Sequence, residues 1–464
     1  MNYGLNLPGL SSSESAGGPE RAEIVPLTRT RFSPQLAPMV ITLRSKLARW
    51  LSVLVGAALF LVATAWIARA YLAGHYASKP TIQDLQLAIK LDPRDADYHL
   101  QLGRLYEYLP SGTEPQKAME EFHRAAALAP YDPEVWINLG GAAEFAGNVS
   151  EAEKYLRMAD SLAPRVPVYQ WPIGNFFLLH GNTQEAFSHF RMVLLGTHEY
   201  DQIIFSTAWK ASGDAEQILQ QLIPRDLSAE FRYLDFLIGS KRLPESLAVW
   251  NRIVNTPGTI ETNQANRYLD SLLINHMPDE AFRVWKDLLK RGVVRYSAPS
   301  TPGDLITNGS LEDDIRNVGF GWRIAPVKDI YAGLDTSTFH SPGHSLVVQF
   351  SGEQNLYYRN VLQYVKVEPG SSYRLQAFMK TEGITTDSGP RLEVRDPYDP
   401  GALDKLTDNL TGTTEGWTPL LLDFKTGPKT ELIVVSITRL PSQKLDNLIA
   451  GKVWLDDVRL TPMH

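Results

Sequence analysis

The sequence predicts a multidomain chain: an N-terminal transmembrane helix, then an all-α array of helical hairpins, then an all-β jelly-roll sandwich. Three observations carry this. Trp50 to Ala68 form a run of nineteen residues without a charge. From about residue 80 the chain repeats itself at a spacing near 34. After about residue 300 the helical periodicity gives way to short alternating runs separated by Gly, Pro, Asp and Asn. A length of 464 residues accommodates two or three folded units. With 44% hydrophobic and 21% charged residues, the composition excludes a mostly disordered protein. The 45 basic against 52 acidic side chains give −7, so no global basic field points to nucleic acid. Cysteine is absent, which excludes disulfides, thiolate metal sites and a cysteine nucleophile.

The first element follows from the apolar run. A nineteen-residue helix spans roughly 28 Å, close to the ~30 Å of a bilayer core. Trp50 and Trp66 stand near its ends, where amphipathic rings prefer the headgroup level. Arg44, Lys46 and Arg49 lie on its N-terminal side, and the residues after Arg69 carry 38 basic and 49 acidic side chains. This asymmetry predicts a single pass through the inner (plasma) membrane, N-terminus cytoplasmic and bulk extracytoplasmic or periplasmic. Residues 47–72 are read as a signal-anchor helix, with Ala68-Arg69-Ala70 leaving cleavage as the alternative. Residues 1–46, rich in Ser, Gly and Pro at their start, are read as a disordered cytoplasmic tail.

The second element, residues 80–296, follows from the repeat. Leu128-Ala129-Pro130 recurs as Leu162-Ala163-Pro164, Gly147 as Gly181 and Ala152 as Ala186, each 34 residues on. Leu91-Asp92-Pro93 is the earlier copy, set 37 before Pro130, with the loop Pro110–Pro115 taking up the three extra residues. Within each unit the positions resemble the tetratricopeptide (TPR) consensus: Trp136, Leu139, Gly140 and Ala143; Leu102, Gly103 and Tyr106; Ile173, Gly174 and Phe177. Ala118 with Phe122 and Ala186 with Phe190 supply the A-x3-F element. Glu245–Trp250 is echoed by Glu280–Trp285 at 35 residues, with a weaker consensus. The resemblance implies a solenoid whose concave surface binds a protein or peptide. Trp136, Trp250 and Trp285 are read as inter-helix core.

The third element, residues 303–464, begins after Ser297–Gly303, which reads as a linker. Strands are expected at 346–350, 356–367, 373–381, 391–395, 418–426, 431–440 and 452–460. In the third, Tyr373, Leu375, Ala377 and Met379 point one way and Arg374, Gln376, Phe378 and Lys380 the other. Three motifs resemble carbohydrate-binding modules of the family 4/9 type, within the galactose-binding-like jelly rolls. They are Asn308-Gly309-Ser310-Leu311-Glu312 with Gly321-Trp322, then Gln363-x-Val365-x-Val367-x-Pro369-Gly370-x-x-Tyr373-x-Leu375, and finally Gly451–Leu460.

The resemblance implies a structural calcium held by Glu312 with Asp456 or Asp457, since calcium favours hard oxygen ligands. Asp456 shares parity with Val458 and Leu460 and is expected to point inward; the competing reading is an Asp capping local amides. Sugar binding calls for an aromatic platform with polar neighbours on one exposed face. Arg374, Gln376 and Phe378, with Tyr364, Arg391 and Arg395, are the candidates. The arginines suit an acidic glycan through bidentate carboxylate contacts, and a solvated sheet face is the competing reading. Trp322 and Trp417 fall at positions that are core in the family.

No HExxH, GxSxG, Walker A or complete GxGxxG occurs in the sequence. His340 and His344 flank Ser341-Pro342-Gly343, which precludes a helical metal pair and predicts a loop. The chain therefore reads as a non-catalytic membrane-anchored scaffold, with a protein partner on the repeats and a glycan on the sandwich, in surface polysaccharide assembly or export. The alternatives are a protein-docking or adhesion module without sugar affinity, and a jelly-roll glycan hydrolase or lyase.

Overall fold

The computed structural model describes residues 45–79, 81–107, 114–298 and 301–463. The predicted tail up to residue 44, most of the Pro110–Pro115 insertion, and His464 lie outside the described residues. The chain divides into two compact units, one up to Leu72 and one from Ala73 onward.

The expected helix is present as α1 (Lys46–Ala77), of which the residues up to Leu72 belong to the first unit. Every residue from Arg49 to Leu72 is exposed, and the helix is long and apolar enough to cross a membrane.

The second unit opens with helical hairpins. α2 (Ile82–Leu91) and α3 (Ala96–Glu107) are followed by α4 (Pro115–Leu128), α5 (Pro133–Phe145), α6 (Val149–Leu162), α7 (Pro167–Leu179) and α8 (Thr183–Gly196). Pro at or near the first position of α4, α5 and α7 presets φ where the helix has no N–H to satisfy. Asp132 and Asn182 cap α5 and α8 with their side chains. Small residues let paired helices touch: a Cβ on Gly103, Gly140 or Gly174 would lie 2.4, 2.6 or 2.5 Å from Phe122, Leu156 or Phe190. One slot between the two helices of each hairpin repeats at the same register. It holds His99 on Glu121 (2.6 Å), Trp136 against Tyr155 (ring centroids 5.9 Å) and Gln170 on His189 (2.6 Å).

The array continues as α9 (Asp201–Ser212), the single turn α10 (Ala215–Gln217), a π-helical turn Ile218–Leu222, α11 (Leu227–Gly239), α12 (Leu243–Asn255), α13 (Thr262–Ile274) and α14 (Pro278–Lys290). Here arginines from later helices close the ends of earlier ones. Arg232 donates to Leu194 O (2.8 Å), Arg252 to Ile223 O and Pro224 O (3.1 Å each), and Arg291 to Val254 O (2.7 Å). Trp250 and Trp285 are core, as expected; Trp136 is half-exposed and donates to Pro130 O (2.9 Å).

Among the described residues ten strands follow: β1 (Arg323–Ile324), β2 (Ile330–Asp335), β3 (Ser345–Ser351), β4 (Tyr358–Lys366), β5 (Ser372–Glu382), β6 (Arg391–Arg395), β7 (Asp404–Leu406), β8 (Thr418–Lys425), β9 (Leu432–Arg439) and β10 (Ala450–Pro462). They form two five-stranded antiparallel sheets, β1-β4-β9-β6-β7 and β2-β3-β10-β5-β8. The core between them takes Val361 and Val365 from β4, Leu375 and Met379 from β5, Leu392 and Val394 from β6, and Val453 and Leu455 from β10. The predicted β5 alternation is observed, and Trp322 is core, donating to Asn308 O (3.1 Å).

The expected linker does not separate the two lobes. Phe320 packs against Phe282 and Trp285 (ring centroids 5.2 and 6.2 Å) and belongs to the helical core. Arg323 pairs with Asp270 (2.7 Å) and Lys366 with Asp279 (2.9 Å). Tyr398, in the turn after β6, donates to Leu273 O (2.6 Å) and stacks on His276 (4.1 Å, 17°). The last helical hairpin thus covers part of the β4–β9 outer face, and Leu432 on that face joins the helical core.

Candidate functional site

The six residues proposed from sequence for a glycan platform fall on two different sheets. Arg374, Gln376 and Phe378 lie on the outer face of β5; Tyr364 lies on β4, and Arg391 and Arg395 on β6. They cannot form one surface, because the two outer faces look in opposite directions. On β5, Arg374 is held bidentately by Asp423 (2.7 and 2.6 Å), which keeps the Asp423 carboxyl below its ordinary range. Phe378 lies under the His340 ring (centroids 3.7 Å, 13°), with the edge of Trp417 5.7 Å from that ring. Of the three, Gln376 is exposed.

Tyr364 is not presented either. It packs against the helical core and under the Arg323 guanidinium (5.1 Å), because α14 closes that part of the face. Arg391 and Arg395 stand on the part left open. The cross-strand register places Glu393 between Ser436 and Leu406, Arg391 opposite Thr438, and Arg395 between Val434 and Asp404. Glu393 is fully buried and accepts from Thr438 (2.8 Å), Ser436 (3.1 Å) and the Arg359 guanidinium. Burial pushes its carboxyl up, against the pull of Thr438 and Arg359. Arg359 also lies on the Tyr357 ring (4.2 Å). The alternation Arg391-Leu392-Glu393-Val394-Arg395 was visible in sequence. Arg359, Ser436 and Thr438 were not, because only the strand order brings them beside it.

The calcium candidates are each engaged by donors of the loop that carries His340 and His344. Asp456 accepts the amides of His340 (2.7 Å), Ser341 (3.0 Å) and Asp457 (2.7 Å). Burial pushes its carboxyl up despite these donors. Asp457 engages His340 Nδ1 (2.7 Å), and Glu312 takes the amide and ring of His344 (3.3 Å each). Three amide N–H groups aimed at Asp456 present positive hydrogen to the oxygens a cation would need, so these residues do not fit a calcium site as arranged. Among the described residues, no group of three or more His, Asp or Glu is placed to hold a metal. The inward orientation expected for Asp456 is corrected as well. A register shift between Asp456 and Arg459, with Asp457 at φ 49°, pairs Asp456 with Phe378 on the outer face, where the loop of residues 336–344 buries it. That loop carries His340 and His344, as expected.

A cleft of about 840 Å³ opens beside β1 and β2, lined by Ile315, Ile324, Val327, Ile330 and Tyr358 with Asp314 and Arg316. On the helical array, the last residues of α5, α7 and α13, namely Phe145, Leu179 and Ile274, are 64, 77 and 75% exposed.

No protein-family model and no curated protein sequence matches the chain. Among solved structures, a tetratricopeptide repeat protein from Parabacteroides merdae is similar at 14% identity, over 49% of this chain and 94% of that one, TM-score 0.28. A structure described as CBM4 is similar at 14% identity, over 34% and 99%, TM-score 0.25. The CBM22-1–GH10 modules of Clostridium thermocellum xylanase 10B, complexed with xylohexaose, are similar at 18% identity over 35% of this chain, TM-score 0.25. This chain spans 29% of the length of those xylanase modules and 22% of a bacteriophage CBA120 tailspike. The architecture, by its period-34 hairpins and paired five-stranded antiparallel sheets, is a TPR-like helical repeat followed by a jelly-roll-type β-sandwich.

Proposed function

We propose that this chain is a non-catalytic, membrane-anchored binding scaffold: the hairpin array takes a protein or peptide, and the sandwich takes a glycan, in surface polysaccharide assembly or export. The observation that carries the glycan half is the open part of the β9–β6 outer face, where polar side chains converge around buried Glu393. The exposed helix-end residues Phe145, Leu179 and Ile274 support the protein half. The N-terminal helix supports anchoring, since its exposed apolar side chains favour lipid over water, and the flanking basic residues favour a cytoplasmic N-terminus.

The test is glycan-array binding by the full chain in detergent. Specific binding is expected; a blank array from folded protein favours the second reading, a protein-docking module. That reading has its own observation, because part of the same sheet face already receives α14. Topology is separately testable, because the chain lacks cysteine. Leu445→Cys, at a fully exposed position, is expected to react with a membrane-impermeant maleimide on intact cells. Labelling only after lysis would reverse the assigned orientation.

A further inference from the structure

The part of the β9–β6 face that the helical hairpin leaves open is arginine-rich. Arg359, Arg391 and Arg395 surround buried Glu393, with Arg395 Nε 4.0 Å from its carboxylate and Asp404 4.0 Å from Arg359. Each of the three has a buried Nε–H without a hydrogen-bond partner, so the edge each guanidinium can offer to solvent is its Nη side. Arg359 and Arg395 share Glu393 and Asp404, while Arg391 donates to Ser388 Oγ (3.4 Å) with Asp408 as its nearby carboxylate; each guanidinium still has more N–H donors than these acceptors fill. The Arg359 and Arg395 side chains remain 30 and 23% exposed, and Tyr357 offers a ring beside them, 44% exposed.

We propose that this patch binds a carboxylated polysaccharide of the uronate type, with sugar carboxylates taken by the guanidinium forks of Arg391 and Arg395 and a sugar face laid on Tyr357. The proposal rests on reading the sandwich as a glycan module and names the ligand class for its open face. The planar guanidinium pairs two N–H groups with a carboxylate's two oxygens, a match that a neutral hydroxyl cannot make. Arg391 and Arg395 are four residues apart on β6, about 13 Å at the rise of a strand. A repeating chain of carboxylates reaches both at once, whereas one small anion reaches only one. The three arginines stand against Glu393, Asp404 and Asp408, so the patch recognises by guanidinium geometry and not by net charge; with the whole chain at −7 this disfavours the dense phosphates of nucleic acid, whose binding scales with the number of cations engaged.

The experiment compares the full chain in detergent on immobilised polygalacturonate, dextran and poly-glutamate. Two variants are made: Arg391→Gln with Arg395→Gln, and Arg374→Gln on the opposite face as control. Polygalacturonate is expected to bind at least tenfold tighter than dextran or poly-glutamate and to weaken between low and high salt. The double variant is expected to lose at least tenfold, and Arg374→Gln to stay within twofold. Dextran binding as tight as polygalacturonate overturns this inference and leaves the glycan reading standing. Poly-glutamate binding as tight reduces the patch to bare charge and overturns it too. An equal loss in Arg374→Gln moves the site off this face. Binding to none of the three overturns the inference, and a blank glycan array alongside it removes the glycan reading as well.

Discussion

His189 shows how a single side chain inside the repeats responds to acid. It is buried between α7 and α8, bonded to Gln170 and stacked on Phe177 (5.5 Å, 3°). Burial lowers its pKa below the ordinary value; Asp160 and Glu185 oppose this, and Arg157 adds to it. The unfolded chain, with its ordinary histidine near 6.5, therefore takes the proton first as pH falls. Stability is unaffected well above that pH and declines as pH drops below it, until the folded state also protonates. Melting of the helical signal from pH 7.5 to 5.5 should show a steeper loss in the wild type than in His189→Gln; identical slopes would remove His189 as the cause. At Asp456 the same logic concerns a metal. Because its oxygens already face three amides, adding calcium or a chelator is expected to leave the melting temperature unchanged within about 1 °C. A rise of several degrees with calcium would show by mass action that the folded state binds it.

Gly140 and Gly141 stand side by side in α5 and predict opposite outcomes. A Cβ on Gly140 falls 2.6 Å from Leu156, while one on Gly141 meets nothing within 4 Å. Gly140→Ala should destabilise by about 1–3 kcal/mol through overpacking, and Gly141→Ala should stabilise by up to about 1 kcal/mol through helix propensity. Thermal melts of the two variants settle it, and shifts of the same sign would contradict the packing account. Such contacts recur every 34 residues, which is why the array was legible in sequence. The strands were legible where they are long and alternate, as in β5. β1, β2 and β7 were missed because they lie at the sheet edges, where burial imposes little pattern, and β1 and β7 are also short. The candidate site was half legible. Alternation marked Arg391 and Arg395 as outward, but it cannot say which sheet a strand joins, so Arg374, Gln376 and Phe378 were grouped with them. Nor can it foresee a bulge, which turned Asp456 from core to outer face.

Across the unit from Ala73 onward, the consequence of the junction is mechanical. Stacked repeats leave an apolar end that must be capped, and here the sandwich caps it with Phe320, buried among Phe282 and Trp285. The surrounding ion pairs are partly exposed. Asp279 facing Lys366 is 63% accessible, so Asp279→Asn should cost less than about 1 kcal/mol. Phe320→Ala removes a fully buried ring and should cost about 3–5 kcal/mol. Its effect should also be qualitative. In the wild type, amides of α11–α14 and of β4 and β9 should open together in the slowest hydrogen-exchange class, because neither lobe can expose the shared apolar surface alone. In Phe320→Ala the helical amides should exchange first while the sandwich stays protected by its own core. Helix and strand amides that still exchange at one common rate in that variant would show that the two lobes are held together by something other than this contact.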